Sequence, residues 1–278
     1  MPKIPIQPLP LFPKLDQLLL ELLRSLSPED WEKPTLAPLW NVKEIATHLL
    51  DGNLRSLSML RDGYFGESPG QIKEYQDLVD YLNKLNSDWV KGMKRLSPKV
   101  LVQLLESSGE EYVEYLNTLD PFEKAAFSVA WAGETESQNW FHIAREYTEK
   151  WHHQQQIRLA VGREEILLAK EFYDPFLQAS LRALPFHYRD LIGQEGEVIQ
   201  VTVEGDPNWN WRILYRSNSW KFTTQPEVLP VSEVNIQPEI AWRIFTKGIS
   251  KEEAKSRISI SGKLKYGEKI LDMLTVMA

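Results

Sequence analysis

The hydrophobic pattern of the chain changes period once. Up to about residue 190, apolar side chains recur three and four positions apart, the spacing of one helical face. Beyond it they alternate, as in a half-buried strand. After Pro13, Leu15, Leu18, Leu19, Leu22 and Leu23 share one stripe of a first helix, and Ser27 with Pro28 opens a short helical start. Asn41 then precedes a second helix with Val42, Ile45, Ala46, Leu49 and Leu50 on its buried side. Glu44 stands where a capping box returns the cap's hydrogen bond. The loop GYFGESPG leads to KEYQDLVDYLNKLNSDWVKGMKRL and SPKVLVQLLESSGEEYVEYLNTL, both amphipathic. Then NWFHIAREYTEKWHHQQQIRLAVG reads as a long helix stopped by Gly162. About five helices with short connections predict an antiparallel four- or five-helix bundle over residues 14–165.

In the second stretch, EVIQVTVEGDPNWNWRILY alternates around a GDPN turn, and NSWKFTTQ, VSEVNIQ and RISISG add further strands. PEIAWRIFTKG and YGEKILDMLTVM read as helices. These elements predict a smaller α+β domain over residues 166–278, an antiparallel or mixed sheet with helices on one face, so the chain as a whole is of class α+β. Prolines at positions 2, 5, 8, 10 and 13 predict an extended, polyproline-like arm over residues 1–13.

Composition narrows the chemistry. A net charge of -7 provides no field for a phosphate backbone, which argues against nucleic acid as a partner. There is no run of about 18 apolar residues and no apolar stretch of signal-peptide type near the start, so no membrane partner is expected and a soluble cytoplasmic protein is. Cysteine is absent, which excludes disulfides, Cys-ligated zinc, iron–sulfur centres and a Cys nucleophile; thiol chemistry would need a thiol from outside. Any transition metal must be held by carboxylates and by the five histidines His48, His142, His152, His153 and His187.

Glu149 and His153 are four apart on the last bundle helix, so they project from one face on successive turns and can share an ion. His48 lies on the apolar side of the second helix and is the candidate third ligand, completing a set that suits a catalytic zinc site with one open position. The competing reading makes His48 a hydrogen-bonded core residue and Glu149–His153 a solvated helix pair, and spacing leaves both open. His152, about 100° from His153 on the helical wheel, is expected to face elsewhere; His142, roughly three turns away, is expected to be structural. Trp40 and Trp151 are candidates for pocket lining. Gln156 is placed to hydrogen-bond a ligand or substrate. Arg243 is read as surface or structural, with anion binding as the alternative.

WNVKEIATHLL (residues 40–50) and REYTEKWHHQQQIRLAVG (residues 145–162) resemble the mycothiol-dependent maleylpyruvate isomerase-like family, within the broader DinB-like helical bundles. The shared features are a Trp-containing helix start leading to a histidine in an HL pair, and a Glu-x-x-x-His helix running to an Ile-Arg-x-Ala-x-Gly end. The resemblance implies that His48, Glu149 and His153 are metal ligands, with zinc the expected divalent ion. It implies a low-molecular-weight thiol of the mycothiol, bacillithiol or glutathione type, and transfer of that thiol to, or isomerisation of, a small electrophile. It extends to AWRIFTKG and ISISGKL, which look like the sterol-carrier-protein-like domain found behind the bundle in that family. One departure is Gln156, where the family often carries Asp three residues after the second histidine. Metal-dependent hydrolysis by a bound hydroxide, or a non-catalytic small-ligand-binding protein with a structural metal, are the alternatives on the same three residues.

Overall fold

The computed structural model describes residues 2–276, Tyr75 by its backbone. The chain divides into two compact units. The first comprises residues 2–127 and 138–167, the second residues 128–137 and 168–276.

The first unit is helical. Its elements are α1 (Phe12–Arg24), the short α2 (Pro28–Trp31), α3 (Val42–Ser56), α4 (Tyr75–Gly92), α5 (Pro98–Asn117) and α6 (Asn139–Ala160). Helix α1 begins at Phe12, preceded by a 3-10 turn at Leu9–Leu11, so the extended arm is shorter than the prolines suggest. Proline is tolerated in a first helical turn, where its missing N–H has no partner to lose, and Pro13 sits there. What remains of the arm is anchored by Ile6, which is buried.

The predicted caps are present. Ser27 and Asp30 exchange the two hydrogen bonds of a capping box at α2, and Asn41 and Glu44 do so at α3. A core built from Leu19, Leu22, Val42, Ile45, Leu49 and Leu101, among others, packs α1, α3 and α5 together. Helix α3 runs on as a π-turn through Leu57–Arg61, and α6 ends where Gly162 takes a φ of 70°, a conformation that a side chain would oppose. The connection from α5 to α6 is long, contrary to the expectation of short loops, because residues 128–137 leave the first unit for the second.

Helix α6 is buried on nearly every side although many of its residues are polar. Such a helix is stable only if its polar groups find partners. Lys150 Nζ donates to both oxygens of Asp16 at 2.7 and 2.8 Å. Gln155 donates to the Glu164 carbonyl at 3.0 Å, and Gln154, with its side-chain amide turned over, donates to the Leu15 carbonyl and accepts from the Leu19 N–H of α1. Arg158 donates to the Leu18 carbonyl at 2.9 Å.

The second unit contains α8 (Lys170–Ser180), preceded by α7 (Glu165–Leu168) at the join, and the short α9 (Leu184–His187). The strands β1 (Val198–Val203), β2 (Asn210–Arg216), β3 (Ser219–Phe222), β4 (Ser232–Ile236) and β5 (Ile258–Gly262) follow. They form one sheet in the order β3-β2-β1-β4-β5. The β1–β4 pairing is parallel and the others antiparallel, so the sheet is mixed. In β1, Ile199, Val201 and Val203 are buried and Gln200 and Thr202 half-buried, the alternation that its sequence shows. Helices α10 (Pro238–Phe245), α11 (Lys251–Ser256) and α12 (Leu264–Glu268) complete the unit. At the end of β5, Gly262 is required, since a Cβ there would collide with the Val231 carbonyl. The molecule is therefore α+β. Among the described residues no helix is long and apolar enough to cross a membrane.

Candidate metal centre

Helices α3 and α6 bring His48 beside His153, and His153 beside Glu149, while the three side chains whose ligand atoms all lie within 4.8 Å of one another are Glu149, His152 and His153. The rings of His48 and His153 lie 4.6 Å apart, edge to face. His153 Nε2 stands 3.7 Å from Glu149 Oε2. On its other side, His153 Nδ1 lies 2.9 Å from Gln156 Oε1. An amide oxygen can only accept, so Nδ1 carries the proton and Nε2 turns its lone pair towards Glu149. This is how an outer partner fixes the tautomer of a ligating imidazole. Gln156 performs it with a neutral carbonyl.

His48 is held from behind. Trp40 packs against its ring at 4.9 Å, and Trp89 of α4 donates its indole N–H to the neighbouring Thr47 carbonyl at 2.9 Å. The Nδ1 atom of His48 is buried with no hydrogen-bond partner among the described residues. Burial, followed by the charges of His153 and Arg55, pushes the His48 imidazole well below its ordinary range. Burial, then His152, does the same to His153. Both rings are neutral at pH 7, the form that binds a metal. The Glu149 carboxyl is raised to about 7, first by burial and then by the negative charge of Glu146. Its side chain keeps 34% of its surface open, so the cluster has an approach from one flank.

His152 corrects the wheel-based expectation that it faces elsewhere. Its ring lies 3.9 Å from that of His153, and Glu149, His152 and His153 each offer a ligand atom within 4.8 Å of the others. The wheel angle describes where the Cα–Cβ bond points, but long helical side chains lean back towards the N-terminus. Here His152 Nδ1 reaches the Thr148 carbonyl one turn earlier, at 2.9 Å, which swings the ring alongside its neighbour. Thr148 Oγ1 bonds the Arg145 carbonyl, so the local turn is closely tied.

A second buried group lies one turn further back on α6. Arg145 donates to Glu146 Oε1 at 2.6 and 3.2 Å, the Tyr112 hydroxyl donates to Glu146 Oε2 at 2.8 Å, and Arg145 contacts His142 Nδ1 at 3.1 Å. Burial would raise the Glu146 carboxyl, but Arg145 and His142 hold it at about 2. His142 belongs to this group and not to the cluster of Glu149, His152 and His153 that could hold a metal. Sequence reasoning missed the Arg145–Glu146–Tyr112 association, because nothing in the sequence pairs α5 with α6 at that register.

Three further candidates fall elsewhere. Trp151 is fully buried, with its indole N–H on the Leu167 carbonyl, and is a packing residue. In the second unit, Arg243 closes the end of its own helix through the Gly248 carbonyl at 3.0 Å and pairs with Glu253, the structural reading of that residue. His187 bonds the Lys269 carbonyl at 2.6 Å.

The first unit is thus a helical bundle with a histidine–carboxylate cluster able to hold a metal ion, followed in the chain by a mixed-sheet α+β unit. Residues 12–158 match the model of the mycothiol maleylpyruvate isomerase N-terminal domain, and the chain belongs to that family. The matched span opens on the first residue of α1 and includes every residue of the cluster. Two solved structures share the fold at a TM-score of 0.51. One is a histidine-to-alanine mutant of the mycothiol-dependent maleylpyruvate isomerase, 11% identical, covering 94% of this chain and 96% of that one. The other is the mycothiol-dependent maleylpyruvate isomerase itself, 12% identical, covering 88% and 91%. No curated protein matches the chain significantly.

Proposed function

We propose that this protein is a divalent-metal enzyme of small-molecule thiol chemistry, with His48, Glu149 and His153 as ligands and zinc as the ion. The reading is carried by the unpartnered, buried Nδ1 of His48 beside a His153–Glu149 pair already oriented by Gln156. An unpaired buried polar atom is costly, and a ligand role accounts for it. His48 is preferred to His152 as third ligand because His152 Nδ1 is already bonded to Thr148. Two imidazoles and one carboxylate leave a fourth position free, as in catalytic zinc sites.

A bound divalent ion lowers the pKa of a thiol in its open position, so that thiolate exists at neutral pH. The chain's own part is preparation. Burial keeps His48 and His153 neutral, and Gln156 holds the His153 ring in one tautomer. Glu149, whose carboxyl is raised to about 7, is only partly ionised at neutral pH, and a bound cation would complete its deprotonation. Trp40 covers one face of His48 and excludes water there. The thiol comes from outside, since the chain has no cysteine. Family membership favours mycothiol within the class that includes bacillithiol and glutathione. Its thiolate adds to a small electrophile, and isomerisation or transfer follows.

Elemental analysis of protein purified without added metal is expected to give about one equivalent, lost in His153→Ala and kept in His152→Ala. Mycothiol is then expected to raise the melting temperature of the metal-loaded form only. Absence of metal from the wild type would remove the whole reading. Metal without a response to mycothiol, bacillithiol or glutathione would remove its thiol half.

A further inference from the structure

Glu149, His152 and His153 are spaced i, i+3 and i+4 on α6, so the two histidines stand on either side of Glu149, about 60° from it one way and about 40° the other. Both rings are fixed in the same tautomer. The Thr148 carbonyl, 2.9 Å from His152 Nδ1, can only accept, as Gln156 Oε1 does at His153 Nδ1. Both Nδ1 atoms therefore carry protons and both Nε2 atoms keep lone pairs, the condition for binding an ion. His152 is buried, 3% exposed, and the Thr148 bond uses only one of its two nitrogens.

Distances agree with a shared ion. Donors on a tetrahedral zinc ion, each at about 2.0–2.1 Å, stand about 3.4 Å from one another. Glu149 Oε2 and His153 Nε2 are at 3.7 Å, and the ligand atom of His152 lies within 4.8 Å of theirs. The two neighbouring rings are 3.9 Å apart with 37° between their planes, so they face broadly the same way. His48 comes to His153 from α3, ring to ring at 4.6 Å. One helix thus offers three donors and the other a fourth, the number that fills a tetrahedral ion.

We propose that His152 is a fourth protein ligand, closing in the resting protein the position that His48, Glu149 and His153 leave open, and that an incoming thiol takes this position by displacing it. The proposal rests on the metal–thiol reading for the ion and the thiol, and adds to it the residue that guards the site. In the exchange the bond from zinc to the His152 nitrogen breaks, a bond from zinc to sulfur forms, and the thiol proton passes to solvent. The released ring stays on the Thr148 carbonyl, so the helix need not open. Thiolate is a soft donor that zinc favours, whereas water is a weaker donor than imidazole. A site closed in this way admits thiol and keeps water off the ion, which argues against the hydrolase alternative.

The test is X-ray absorption at the zinc edge of the full-length, zinc-loaded protein, alone and with excess 2-mercaptoethanol. Three imidazoles and no sulfur are expected without thiol, two imidazoles and one sulfur with it. H152F fills the space of the ring without a donor nitrogen and is expected to hold zinc through two imidazoles. Its zinc affinity should fall roughly 10-fold or more, since even an outer partner of a ligand is worth about that much. Loaded with cobalt, H152F should bind 2-mercaptoethanol more tightly than the wild type, read from sulfur-to-cobalt charge-transfer absorption. The gain should match the loss in metal affinity, because both report how far His152 favours the closed form. Two imidazoles in the thiol-free wild type, or equal thiol affinity in wild type and H152F, would overturn the proposal and leave the metal reading standing. Three imidazoles that persist under excess thiol would overturn the displacement. Should H152F fail to fold, the wild-type spectra decide the matter alone, and a wild type that takes up no zinc would overturn both readings.

Discussion

The Glu149 carboxyl is raised to about 7, by burial first and by Glu146 second. Its folded pKa therefore lies above its unfolded value of about 4.5, and the folded state holds this proton more tightly. The group's favourable contribution is complete below about pH 4.5 and is lost as pH rises through 7. A neutral glutamine avoids the loss. Metal-free Glu149→Gln is expected to melt roughly 2–4 °C above metal-free wild type at pH 8, the two converging near pH 4.5. His142 and His152, both lowered to about 4 by burial, add an opposite slope between pH 6.5 and 4. Both proteins share that slope, so it cancels in the difference. Scanning calorimetry at several pH values checks this, and parallel curves from pH 5 to 8 would show that the buried carboxyl carries no such cost. A candidate ligand that destabilises the empty fold is the trade expected where function requires a shielded charge.

Helix α6 shows how far single elements were legible. Its length, its stop at Gly162 and the one-face placement of Glu149 and His153 follow from spacing. Its burial on nearly every side does not, because a polar sequence with few apolar residues reads as a helix with a solvated side. The glutamines 154–156 look like a low-complexity run, yet each has a different role. Gln154 ties α6 to α1, Gln155 ties it to the segment after its own end, and Gln156 orients His153. Those roles depend on which helix packs against which, information that no window of sequence contains. The Lys150–Asp16 pair is another such tie, 134 residues apart along the chain and mostly shielded from water. Asp16→Ala leaves a buried ammonium without its acceptor and is expected to cost about 3–5 kcal/mol in urea unfolding, whereas Asp16→Ala combined with Lys150→Met should recover most of it. A double variant as unstable as the single would mean that packing around Asp16, not the charge pair, holds α1 to α6.

At the scale of the molecule, the change from helical to alternating period separates a helical part from a sheet part, and the α+β class follows from it. The family was legible in two short segments, around His48 and around Glu149–His153, which both fall inside the span that matches the family model. The excursion of residues 128–137 into the second unit was not legible, since DPFEKAAFSVAWAGETES carries no strong period of either kind. All the candidate ligands lie in the first unit, on α3 and α6. Metal binding should therefore tighten those two helices directly, because an ion that binds only the folded arrangement opposes every local opening that separates its ligands. Hydrogen exchange with and without zinc is expected to slow at the amides of α3 between His48 and Ser56 and at those of α6 between Glu149 and Ala160. Exchange through β1, β2 and β4 should be unchanged, since no strand supplies a ligand. Protection spread evenly over both units would mean that the ion acts by stabilising global folding, and protection confined to the sheet would place the metal somewhere other than His48, Glu149 and His153.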